Sequence, residues 1–95
     1  MTQQYIAGEL SLLLGELQAA MTNEASVVEV AHLRLRAETG RRSALASVAV
    51  RALEVADRLC WDSLTRGDAA AFLSQAVVCA QLWEFAVCAG LLEER

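Results

Sequence analysis

Apolar residues recur along this chain at spacings of three and four, the period of a helix with one buried face. Between Gln3 and Met21 the stripe is Ile6, Leu10, Leu13, Leu14, Leu17 and Met21, with Thr2 placed to cap the first turn. The stretch Thr22-Asn23-Glu24 breaks the pattern, and Asn23 can cap a second helix over 24–38. In that second segment "VVEV" is β-branched and "HLRLRAE" alternates, so a strand is the competing reading. A lone hairpin in a chain without other strand signals is marginal in water, which favours helix. Gly40 closes the segment as a left-handed C-cap.

A third helix is predicted over 42–66, with Leu45, Val48, Ala49, Ala52, Ala56, Leu59, Cys60 and Ser63 on one face. Gly67 stops it and Asp68 caps a fourth helix over 69–92. The densest stripe there is Phe72, Ala76, Cys79, Ala80, Trp83, Val87 and Leu91, the expected core face. Short connections imply antiparallel neighbours, so the pattern predicts an all-α, antiparallel up-down four-helix bundle in one domain, 1–95. Trp61 and Trp83 lie on adjacent helices, as core filling or as interface anchors.

Two glycines interrupt the first helix. Gly8 and Gly15 lie opposite its leucines, with Ser11, Leu12 and Ala19 beside them, so the back of the helix is small and partly apolar. Small residues in register let another backbone approach closely. The fourth helix is apolar almost all round, so Val78, Leu82, Phe85 and Leu92 also need cover. Both features predict a homodimer with Gly8, Ser11, Leu12, Gly15, Ala19, Val78, Leu82 and Phe85 at its interface.

Composition adjusts this picture in three ways. The hydrophobic fraction, 56%, is high for 95 residues, which strengthens the expectation of a partner. The net charge of −4 argues against general affinity for nucleic acid or anionic lipid. Three cysteines, Cys60, Cys79 and Cys88, and an N-terminus without a basic leader region predict a cytoplasmic protein with reduced thiols. Residues 69–92 are long enough to span a bilayer, but Gln75, Gln81 and Glu84 interrupt them, and no basic cluster flanks them. No membrane partner is expected.

Charge is unevenly placed. Residues 34–51 carry a net +4, and the segments before and after carry −4 each. Arg34, Arg36, Arg41 and Arg42 form a basic patch that could meet an acidic protein partner, phosphate of a nucleic acid, or the chain's own carboxylates. Glu29-Val30-Ala31-His32 is an E-x-x-H at the spacing that ferritin-like helices use for metal, and Glu16 could sit level with it across the turn. It is a single motif with a single His, and its stripe runs on into Arg36. A surface ion-pair stripe is the preferred reading, and no cofactor is expected. Nucleophilic catalysis and phosphate-loop chemistry have no recognisable parts. The chain is therefore read as a non-enzymatic interaction module, with a dimeric metal-binding protein using Glu16, Glu29 and His32 as the rival, and nucleic-acid contact as a third reading.

Overall fold

A computed structural model describes residues 2–21, 24–38 and 41–92. These residues form four helices, α1 (Gln3–Ala19), α2 (Glu24–Glu38), α3 (Arg42–Thr65) and α4 (Ala69–Cys88), with no strand among them. The β-branched second segment is helical. Its predicted caps, Asn23 and Gly40, lie outside the described residues.

Local chemistry sets the helix ends. The Thr2 hydroxyl accepts the Tyr5 N–H at 3.2 Å, and the Asp68 carboxylate accepts the Ala71 N–H at 3.1 Å. Each bond satisfies one of the N–H groups that a first turn leaves open. Gly67 and Gly90 have positive φ, 72° and 69°, a conformation that a side chain disfavours. Each closes a Schellman motif: Asp68 N–H donates to the Ser63 carbonyl and Leu91 N–H to the Ala86 carbonyl. The second was not foreseen. It ends α4 at Cys88, short of the predicted residue 92, and turns Leu91 back into the core.

The helices pack α3 on α4 and α1 on α2. In addition α2 lies against α3, and α1 touches both α3 and α4, while α2 and α4 do not meet among the described residues. The molecule measures 39 × 27 × 18 Å. The predicted stripe of α1 is buried, with Met21 partly covered, and so is that of α3 apart from Cys60, which is half-buried. Val30, Leu33 and Ala37 of α2 complete that part of the core.

The predicted face of α4 is corrected by the structure. Gln75, Val78, Leu82 and Ala86 point inward, whereas Trp83, Val87 and Ala80 are exposed and Phe72, Ala76 and Cys79 are half-buried. At 100° per residue the helix is turned by roughly a quarter to a third of a revolution from the expected setting. A buried polar pair accounts for the setting. The Ser63 hydroxyl donates to Gln75 Oε1 at 2.6 Å, and Gln75 Nε2 donates to the Ala20 carbonyl at 3.1 Å. Both side chains are within 1% of full burial. Turning α4 toward its aromatic stripe would break both bonds and leave a buried hydroxyl without its acceptor. Val78 and Leu82, expected at an interface, are therefore core residues, and Phe85 packs against the core edge.

Candidate interaction site

The setting of α4 leaves much of its apolar surface outside. Trp61 and Trp83 are 63% and 59% exposed. They flank a groove of about 650 Å³ whose walls include Leu64 of α3 and Phe72, Ala76 and Ala80 of α4. A second groove of about 730 Å³ continues beyond Trp83 along Ala46, Val50 and Leu53 to Leu91, with Arg51 and Glu54 at its edge. Trp83 lines both, so the outer α3/α4 face is one apolar surface with Asp57 as the carboxylate inside the first groove.

Cys60 and Cys79 line that same groove. Burial pushes both thiols up; Cys79 and Asp57 raise Cys60 further, and Asp57 raises Cys79. A raised thiol is a poor nucleophile at neutral pH. Cys88 is exposed and lies on the other flank of α4.

No protein-family model, curated protein or solved structure matches this chain.

The predicted glycine seam divides in two. Gly15 faces the guanidinium of Arg34, whose Cζ would lie 3.5 Å from an added Cβ. Arg34 donates to Gln18 Oε1 at 2.8 Å, and Gln18 Nε2 donates to the Val27 carbonyl at 3.2 Å. The flat cation thus lies over α1 where a glycine leaves room, and α2 supplies the cover expected from a second chain. Gly8 faces open space. Ser11 is half-buried and Ala19 is exposed. Leu12 is 58% exposed and lies on the flank toward α4, where with Leu13 and Phe85 it lines a separate groove of about 400 Å³.

The basic patch is largely engaged within the chain. Arg34 holds Gln18, Arg36 reaches the Ser47 hydroxyl at 3.4 Å, and Arg42 donates to the Ala89 and Gly90 carbonyls at 3.3 and 3.4 Å. Arg42 thereby satisfies carbonyls that the end of α4 leaves open. Arg41 is exposed, and its carbonyl accepts the Leu45 N–H.

The E-x-x-H motif is also engaged within the chain. Glu29 faces α3, where its carboxylate is held by Arg51 and by Arg58 at 3.2 Å. Partial desolvation pushes this carboxyl up, but bonds from Arg58 and Arg51 outweigh it and the net shift is downward. Two guanidinium groups occupy the oxygens that a metal would need. Glu16 lies on the α4 flank of α1, whereas Glu29 binds α3, and His32 is exposed. The structure does not bring the three together, and no cluster of three potential ligands occurs among the described residues.

Sequence reasoning missed Val50, Leu64 and Leu73 as surface residues and treated the indoles chiefly as core. The available signal was polar. A Ser inside the α3 stripe and a Gln in an apolar helix are best explained as partners in the core.

Proposed function

We propose that this chain is a small helical protein–protein interaction module that acts as a homodimer through the outer α3/α4 face. One observation carries the reading: two tryptophans, each more than half exposed, stand on a continuous apolar surface. A whole aromatic side chain presents about 150–250 Å², so the exposed parts of the two indoles come to on the order of 250 Å². Val50 and Leu64, each about half exposed on the same grooves, bring the face to on the order of 400 Å². A patch of that size is often functional, and it is about half of the ~800 Å² per partner that a standard interface buries. Tryptophan is also the side chain most enriched at binding hot spots.

Further support comes from the rim. Arg51 and Glu54 stand beside the second groove, paired with each other at 3.0 Å, so the rim of the apolar centre is polar and locally neutral. Asp57 must then stay at the wet rim or meet an arginine across the two-fold axis of the dimer. The reading takes the helices as an up-down bundle. Arg42 at the start of α3 reaches the end of α4, while Ser63 near the end of α3 meets Gln75 near the start of α4, which supports that direction.

Light scattering on the native chain and on Trp61→Ala/Trp83→Ala tests the proposal. The expected result is twice the 10.3 kDa chain mass for the native protein and the single-chain mass for the double variant. A native chain that stays at the single mass at high micromolar concentration would overturn it. So would binding of the same face to neutral phospholipid vesicles in place of self-association.

A further inference from the structure

The groove between α1 and α4 differs in chemistry from the tryptophan face. Its apolar floor is Leu12, Leu13 and Phe85, and its rim carries Glu9, Glu16 and Glu84. None of the three carboxylates has an arginine within ion-pair distance among the described residues; the ion pairs found there join Arg51 and Arg58 to Glu29 and Glu54. Six of the chain's eight cations, Arg34, Arg36, Arg42, Arg51, Arg58 and Arg66, bond to other parts of the same molecule. The groove therefore presents negative charge around an apolar floor, and Leu12 stands 58% exposed in it.

We infer that this groove docks a basic amphipathic helical segment of another protein. The inference rests on reading the chain as an interaction module, but not on its dimerisation. Charge selects the occupant. A second copy seated by a two-fold axis would bring carboxylates against carboxylates, which is repulsive, so the groove rejects its own kind. A helix with apolar residues at i and i+4 would fill the floor, and Lys or Arg on its flanks would meet the rim. Glu9 and Glu16 are two turns apart, about 10.5 Å along α1, which matches cations seven residues apart on the visiting helix. The partner is thus opposite in sign to the one that the arginine count of the sequence suggests.

The test uses a fluorescein-labelled synthetic helix with leucines at i and i+4 and arginines seven residues apart on its flank. Controls are a twin with glutamate for arginine and a shuffled peptide of equal composition. The native protein is expected to bind the arginine peptide, more weakly as salt rises, and neither control. Glu9→Gln/Glu16→Gln/Glu84→Gln and Leu12→Ser should each lower affinity by about tenfold or more. Circular dichroism checks that both variants remain folded. Trp61→Ala/Trp83→Ala should keep full binding, so loss of the dimer and loss of the groove read out separately. The inference is overturned if the native chain binds no arginine peptide, or binds all three peptides alike. It is equally overturned if Leu12→Ser lowers the molar mass of the native protein, because the groove would then be a seam between copies.

Discussion

Replacing Gln75 by leucine tests the feature that sets α4. The amide is 1% exposed, accepts from Ser63 at 2.6 Å and donates to the Ala20 carbonyl at 3.1 Å. Leucine has similar bulk, so little cavity forms and the loss is chiefly polar. Each hydrogen bond is worth about 1 kcal/mol net, and a buried group left without a partner costs about 1–3 kcal/mol. Ser63 can turn its hydroxyl toward its own helix, and Arg66 already approaches it at 3.4 Å, which moderates the penalty. A loss of roughly 2–3 kcal/mol follows, from a total stability of about 5–14 kcal/mol for a chain this long. Tm should fall by roughly 8–20 °C. The companion variant Ser63→Ala/Gln75→Leu removes the stranded hydroxyl together with its partner. It should recover about half of the loss, leaving the Ala20 carbonyl as the residual cost. Urea unfolding followed by circular dichroism measures both. A single variant within about 0.5 kcal/mol of native, or a double variant no better than the single, would refute the claim that this pair fixes the helix.

Three further outcomes follow from named contacts. Glu29→Gln should cost about 0.5–1 kcal/mol at neutral pH, since its pairs with Arg51 and Arg58 are partly screened by water. Because its folded pKa lies below the unfolded value, this stabilisation is present above the usual carboxylate range and is lost as pH falls through the folded pKa; an acid-unfolding profile unchanged by the variant would refute the assignment. Gly8→Ala meets open space and Gly15→Ala meets Arg34 at ordinary contact distance, so each should stabilise the helix by up to about 1 kcal/mol without changing molar mass. Loss of the dimer in either would restore the glycine seam as its interface. Iodoacetamide at mildly alkaline pH should label Cys88 before Cys60 and Cys79, because the latter two are half-buried with raised pKa; mass spectrometry of a short time course reads the order.

Much of the architecture was legible because most of the deciding signals are local. Thr2, Gly67 and Asp68 act on their nearest turns, and the leucine stripe of α1 has polar neighbours to define it. The setting of α4 was not legible by the same means. Apolar residues surround that helix, so stripe density favoured the aromatics, while its actual azimuth is chosen by one polar side chain and a partner twelve residues away. The engagement of the charge patch was hidden for a related reason. Counting arginines locates cations but does not show that Arg34 lies on Gly15 or that Arg42 holds the end of α4. Those pairings span up to 48 residues and exist only once the helices have packed.

Helix α4 is long and apolar enough to cross a membrane, and its sides differ in chemistry. One stripe, Gln75, Val78, Leu82 and Ala86, is consumed by the core. Trp83 stands on the α3 side, and the next residue, Glu84, lies in the carboxylate-rimmed groove toward α1. A step of 100° separates two surfaces of different chemistry. A bilayer offers one uniform apolar environment and, where its lipids are anionic, repels carboxylates such as Glu9, Glu16 and Glu84. It would also require Gln75 to leave its bonds with Ser63 and Ala20. Two protein surfaces, one apolar and one basic, fit these flanks without that cost. Under the two proposals above, the surplus apolarity of α4 is contact area for two partners on either side of a single helix.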